Sequence, residues 1–186
     1  MSLSAICDIN SDKKASLSEA YPDIPFFTDY KELLKSGIVD AVIVSTPHKF
    51  HVDIAKEALS AGLHVLVEKP INITVSKAKE INLLASKSNK IFAIMFNQRT
   101  NSLFSKACEI VKIGALGELK RSVWIITNWY RPQAYYDSGD WRATCSREGG
   151  GVLLNQCPHQ LDLWQQICGM PSEITAMCDI AKHHHI

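Results

Sequence analysis

No block of one charge sign runs through this chain. Its 20 lysines and arginines and 19 aspartates and glutamates are interspersed and leave a net charge of +1, so nothing follows a phosphate backbone and nucleic acid is excluded as a partner. No apolar stretch approaches the roughly 18–20 residues of a membrane span, and Met1-Ser2-Leu3 does not open a basic and then apolar leader. No membrane partner is expected on the same grounds. There is no C-x-x-C pair, no internal repeat and no low-complexity segment. The six cysteines, Cys7, Cys108, Cys145, Cys157, Cys168 and Cys178, are widely spaced and lie mostly within apolar runs. That pattern reads as buried, reduced thiols in a cytoplasmic protein rather than a disulfide framework or a zinc site, and no metal is expected. What remains is an ordinary globular composition, 186 residues of which 46% are hydrophobic and 21% charged, enough for one large or two small cores. The run His183-His184-His185 reads equally as native sequence or as part of a tag, and we assign it no function.

Short β-branched runs alternate with amphipathic stretches through the first hundred residues, the pattern of β-α-β units around a parallel sheet buried on both faces. Strands are predicted at 3–7, 39–45, 64–67 and 91–96, and helices at 13–20, 30–34, 51–61 and 75–87. Thr74 is expected to cap the last helix, Gly62 to end the one before it, and Asn89 to supply a left-handed stop. Beyond Phe96 the pattern predicts a helix over 102–113 closed by Gly114, a long strand over 119–130, and an irregular polar and aromatic loop over 131–150. A helix over 152–168 interrupted by Pro158 and a strand over 174–180 follow. A loop of that length in a compact chain is more often functional than connective. The fold class is therefore α/β, a Rossmann-like parallel sheet over residues 1–98, followed by part of an α+β domain over residues 99–186.

Three constellations carry chemistry. Asp8 ends the first readable strand, where a carboxylate accepts hydrogen bonds from an adenosine ribose and repels a 2′-phosphate, favouring NAD with NADP as the alternative. The same Asp-Ile-Asn-Ser stretch also suits a turn opener. A G-x-G-x-x-G turn belongs about 20 residues earlier, and only seven residues stand before Asp8. The sheet is thus expected to lack its first strand and the pyrophosphate cradle. Thr46-Pro47 opens the connection after the second strand, at the rim where ligands of parallel sheets bind, with His51 placed to cap or orient the next helix. Glu68-Lys69-Pro70 stops the following strand, where a lysine ammonium can hold a substrate oxygen beside a nicotinamide. A surface ion pair is the plain alternative. Proline after lysine also allows a cis peptide, a constraint usually kept for a shaped site.

The third constellation starts at Gly149-Gly150-Gly151 and includes Asn155, His159 and Asp162, spaced i, i+4, i+7. On a helix these fall within roughly 60° of one another. Histidine titrates near neutrality, so His159 suits moving a hydroxyl proton, Asn155 orienting the substrate oxygen, and Asp162 fixing the imidazole. A core histidine held by Asp162 is the alternative. Asparagine is a poor zinc ligand, which argues against a metal.

Together, Thr46-Pro47 with His51, Glu68-Lys69-Pro70, and Gly-Gly-x-x-x-Asn-x-x-x-His-x-x-Asp resemble the glucose-fructose oxidoreductase / inositol dehydrogenase / MocA family over essentially the whole chain, with both ends of the usual length missing. The resemblance implies an NAD(P)-dependent oxidoreductase moving hydride to or from a sugar, inositol or related polyol. Lys69 would contact cofactor and substrate, and His159 would serve as acid and base. The position that is often Asp is Asn155 here, which removes a carboxylate relay. The stretch Asp140, Trp141 and Arg142 looks like the segment that approaches the sugar, and Asn97, Gln98 and Arg99 sit at the crossover, Asn97 toward the cofactor and Gln98 toward the substrate. The second domain is implied to be an open, mostly antiparallel sheet that forms homo-oligomer contacts. The same resemblance extends to non-catalytic dinucleotide-binding regulators and to NAD-dependent glycosidases.

Overall fold

The computed structural model describes residues 2–127, 130–139, 141–144 and 146–179. Expectations for Asp140, Cys145, 128–129 and 180–186 lie outside these. The chain divides into two compact units, the first 1–46 with 50–95 and the second 47–49 with 96–186.

In the first unit the order is β1 (Ile6–Cys7), α1 (Lys13–Ala20), β2 (Phe26–Phe27), α2 (Tyr30–Lys35), β3 (Ala41–Val44), α3 (His51–Ser60), β4 (His64–Val67), α4 (Val75–Ala85) and β5 (Phe92–Ile94). All pairings are parallel, as β-α-β connections require, but the strands form two separate ladders. β1 pairs with β2, while β4 lies between β3 and β5, with Val42 opposite Val65 and Val65 opposite Phe92. β2 was not foreseen, because two residues give periodicity nothing to register.

Side chains alternate across a strand. Val65 and Val67 of β4 point into the core, where Val52, Ala55, Ala58 and Leu59 of α3 and Ile81 of α4 meet them. On the other side Ile43 is 58% exposed and Leu66 only half-buried. The expectation of a sheet buried on both faces is therefore corrected: this ladder has one fully packed face. Burying a side chain the size of Ile81 contributes about 1.5–3 kcal/mol.

Gly62 ends α3 as foreseen. Its φ of +79° is a left-handed value that costs an L side chain, and it lets Leu63 N–H reach back to Ala58 O at 3.0 Å. Thr74 occupies the N-cap position of α4, but its side chain caps nothing; Asn72 Oδ1 accepts from Thr74 N–H at 3.3 Å instead. Asn89 is not left-handed, since α4 ends earlier, at Ala85 with Ser86 as its C-cap.

The second unit holds α5 (Ser102–Lys112), α6 (Gln133–Asp137), α7 (Val152–Asn155) and α8 (Pro158–Cys168). Asn101 caps α5 by accepting from Leu103 N–H at 3.0 Å, and Gly114 at φ +75° closes it. The strands expected at 119–130 and 174–180 are absent among the described residues, so the antiparallel sheet of this unit is not formed there. A strand exists only through its partner, and an isolated extended segment has no ladder to join. Val123, Ile125, Ile174 and Met177 are accordingly exposed. The loop expected over 131–150 contains one short helix, α6.

The thiols correct the reading of the cysteines in part. All described cysteines are free, but Cys168 and Cys178 are exposed and Cys7, Cys108 and Cys157 only half-buried. Burial, then the charges of Asp29 and Asp8, pushes the Cys7 thiol up, and burial raises Cys157. No helix among the described residues is long and apolar enough to cross a membrane.

Candidate active site

Parallel strands end together, so the register of β3 and β4 brings two of the sequence motifs side by side. Val44 pairs with Val67, and Glu68 N–H continues the ladder to Val44 O at 2.9 Å. Thr46 leaves β3 and Lys69 leaves β4 at the same carboxyl edge. His51, the first residue of α3, ties these two exits together from beneath. Its ring is 0% exposed, with Nδ1 2.8 Å from Pro70 O and Nε2 2.6 Å from Thr46 O. Both oxygens only accept, so each contact needs an N–H on the ring nitrogen that makes it. His51 thus links the two strand exits through its ring.

At the tip, Lys69 N–H donates to Glu68 Oε2 at 3.1 Å, and the Lys69–Pro70 peptide is cis. Glu68 and Lys69 are half-buried and Thr46 is exposed, so the edge is open to a ligand. This is the position at which doubly wound folds bind dinucleotides.

Asp8 follows β1. Its Oδ1 accepts from Asn10 N–H at 2.9 Å, an Asx turn, and its Oδ2 accepts from Lys13 Nζ at 2.6 Å. Burial pushes this carboxyl up, but the Lys13 hydrogen bond, the Asn10 N–H and the Lys13 charge outweigh it and hold the group below its usual value. Asp8 thus opens a turn at a strand tip, and its carboxylate is paired with Lys13.

In the second unit the helix predicted over 152–168 is broken. Asn155 ends α7, and Pro158 starts α8 at a position where its missing N–H costs nothing. Asn155, His159 and Asp162 therefore do not share one continuous helix face. Asn155 is 6% exposed, and its amide nitrogen donates to Glu148 Oε1. His159 is half-buried, and its ring packs edge-on against Phe96 with centroids 5.9 Å apart. Asp162 serves a different partner from the one expected. Its carboxylate takes a bidentate pair from Arg99, with Nε 2.8 Å from Oδ2 and Nη2 2.5 Å from Oδ1. The fork geometry of guanidinium matches a carboxylate better than an imidazole does. Arg99 in turn lies over the Phe96 ring at 5.4 Å, so Phe96 touches both Arg99 and His159.

Asn97 and Gln98 fall in a 3-10 turn, Asn97–Thr100, whose carbonyls are taken up locally by Thr100 Oγ1 and Asn101 N–H. Trp141 stands edge-on to the buried His48 ring at 5.3 Å. Arg142 lies over the rings of Trp141 and Tyr135 and donates to Tyr135 Oη at 2.7 Å, so the segment is held mainly by aromatic contacts. A cleft of about 390 Å³ between α5 and α8 is lined by Arg99, Phe104, Cys108 and Gln166, apart from Asn155 and His159. A smaller one of about 240 Å³ runs along Val152, Gln156, Cys157 and Gln160.

Sequence reasoning missed Glu148 and His48. Glu148 is 3% exposed; besides Asn155 it accepts from Ala143 N–H on Oε2 at 2.7 Å, and its backbone oxygen lies 3.1 Å from His48 Nδ1. Ala143 has a φ of +55°, a conformation that costs a non-glycine residue about 1–2 kcal/mol. Among the described residues no group of three His, Cys, Asp or Glu side chains is placed to hold a metal.

These features coincide with a known family. Residues 1–96 match the family model described as an oxidoreductase family with an NAD-binding Rossmann fold, and residues 104–185 match the GFO/IDH/MocA C-terminal domain. The chain belongs to the GFO/IDH/MocA oxidoreductase family. It is 34% identical over 163 residues to an uncharacterized oxidoreductase of Schizosaccharomyces pombe, covering 88% of this chain and 43% of that one. To the D-glucoside 3-dehydrogenase of Escherichia coli it is 30% identical over 174 residues, covering 92% and 48%. Among solved structures it resembles the WlbA dehydrogenase of Bordetella pertussis in complex with NADH and UDP-GlcNAcA, with a TM-score of 0.76, 26% identity and coverage of 89% and 50%. The chain spans about half the length of the curated relatives it matches.

Proposed function

We propose that residues 1–98 and 99–186 are the dinucleotide-binding domain and part of the substrate domain of an NAD(P)-dependent dehydrogenase acting on a secondary alcohol of a sugar, inositol or related polyol. The observation that carries this reading is the shared carboxyl edge of β3 and β4, where His51 ties Thr46 to Pro70 and Lys69 stands half-buried. The family membership and the name of the D-glucoside 3-dehydrogenase support it. NAD, when bound, supplies the hydride acceptor. Asp8 holds its adenosine ribose and disfavours NADP, while Thr46, Pro47, Glu68, Pro70 and Asn97 shape the rim.

Lys69 polarises the substrate oxygen, a contribution that grows as charge develops on it in the transition state. His159 takes the hydroxyl proton as the alcohol carbon is oxidised. Asn155 orients the same oxygen, and Gln98, Trp141 and Arg142 contact the rest of the sugar. Asp162 acts at one remove, by fixing Arg99. The apolar surface of the second unit carries the contacts of a homo-oligomer, and the free thiols suit the cytoplasm.

The test is NADH formation with scyllo-inositol and with a methyl glucoside. Lys69→Ala is expected to lower kcat/KM by about 100-fold or more, the cost of removing one group that stabilises developing charge. Full turnover by that variant would refute the assignment.

A further inference from the structure

The loop that leads into Gly149-Gly150-Gly151 is organised around one buried carboxylate. Glu148 Oε2 accepts from Ala143 N–H at 2.7 Å, Oε1 accepts from Asn155 Nδ2, and Glu148 N–H donates to Thr144 O at 2.9 Å. Glu148 and Asn155 are 3% and 6% exposed, so neither group exchanges this contact for water. An asparagine amide presents a donor on one side and an acceptor on the other. Here the neighbour decides between them, because both Glu148 oxygens accept, Oε2 from Ala143 N–H and Oε1 from the Asn155 amide nitrogen. Glu148 therefore dictates which way round Asn155 stands.

We propose that Glu148 is a positioning residue: it fixes the side-chain amide of Asn155 with nitrogen toward the loop and oxygen away from it, and through Ala143 it anchors the Trp141–Arg142 segment in the same arrangement. The orientation itself stands on the hydrogen bonds above; its consequence for a substrate rests on the hydride-transfer reading. Glu148 needs no contact with substrate to act. It selects whether the group at position 155 offers an acceptor or a donor to whatever lies beyond it.

Two exchanges test this, measured on the whole chain. In Glu148→Gln the new amide oxygen can keep the Ala143 N–H, and its nitrogen then faces Asn155, which must turn over to accept. The expected result is a thermal midpoint close to wild type together with a kcat/KM on scyllo-inositol lower by about 100-fold, as for other misplacements near a reacting atom. In Asn155→Asp two acceptors meet in a buried site, so the midpoint falls at pH 8 and recovers as the pH drops and one of them takes a proton. Combining the two substitutions again sets a donor against an acceptor, with the bond reversed: the amide at position 148 donates and the carboxylate at 155 accepts, leaving its second oxygen directed away from the loop. The midpoint at pH 8 should return, and kcat/KM should recover to within about tenfold of wild type.

A double variant no more stable at pH 8 than the sum of the single effects predicts would overturn the proposal. So would Asn155→Asp as stable as wild type at that pH, or a Glu148→Gln protein that turns over as wild type does. If no protein oxidises either polyol, the hydride-transfer reading fails, and the stability cycle still decides the orientation of Asn155.

Discussion

His51 allows a stability change to be worked out bond by bond. Replacing it with leucine keeps a side chain of similar bulk in a site that is 0% exposed, so packing is largely retained while both hydrogen bonds are lost. The two carbonyls then fare differently. Pro70 is buried, so its oxygen stays without a donor, at about 1–3 kcal/mol. Thr46 is exposed, so water can replace the ring at its oxygen, and that loss is about 0–1 kcal/mol. The sum is about 1–4 kcal/mol, against the roughly 5–15 kcal/mol that holds a domain folded. At about 2–4 °C per kcal/mol for a chain of this length, the midpoint falls by roughly 2–16 °C. Urea unfolding followed by far-UV circular dichroism gives the free energy directly. His51→Leu within about 0.5 kcal/mol of wild type would show that the ring does not tie the two strand exits, and the account of the site edge would fail with it.

Two further outcomes follow from the titrating groups. The Tyr30 hydroxyl donates to Glu57 Oε1 at 2.9 Å, and burial, then this bond and the charges of Glu57, Asp29 and Asp53, push its pKa up to about 12. A raised folded value favours the protonated phenol, so this contribution to stability is complete below the unfolded pKa of about 10 and disappears as the pH climbs toward 12. Tyr30→Phe should flatten the alkaline decline of stability in that window, and an ultraviolet tyrosine titration should lose its latest-ionising phenol; unchanged curves would contradict both. At Asp8, removing the charge with Asp8→Asn should narrow the preference for NADH over NADPH by about tenfold, a screened carboxylate–phosphate repulsion of roughly 1.4 kcal/mol. Calorimetric titration with each reduced dinucleotide reads this without turnover, and an unaltered ratio would remove Asp8 from the ribose site.

The first unit was legible because its signals are local. Apolar positions in α3 and α4 recur at helical spacing, Gly62 stops one helix, and Val65 and Val67 alternate along β4. Each of these is settled by residues within a few positions of one another. The second unit was less so. The segments at 119–130 and 174–180 have strand-like composition, but a strand is a relation between two segments, and no residue in either one specifies its partner. The break between α7 and α8 was marked by Pro158, whereas its effect, to part Asn155 from the face shared by His159 and Asp162, depends on how the chain re-enters the helix.

The site followed the same division. Lys69, Thr46 and His51 were found together because strand order in a parallel sheet is a short-range consequence of β-α-β connection. Asp162 was assigned to His159 because the two are three residues apart on α8, and periodicity reports neighbours within an element. The carboxylate is instead held by Arg99, 63 positions away in sequence, through two hydrogen bonds. With the Asp162 side chain 8% exposed and Arg99 50% exposed, the pair has one desolvated charge and one that keeps its water, so the carboxylate gains most from a partner that brings two donors. The His159 ring packs edge-on against Phe96, and the acidic residue nearest the glycine motif lies off α8. It is Glu148, on a loop without periodicity, which is why only a folded chain could put it next to Asn155.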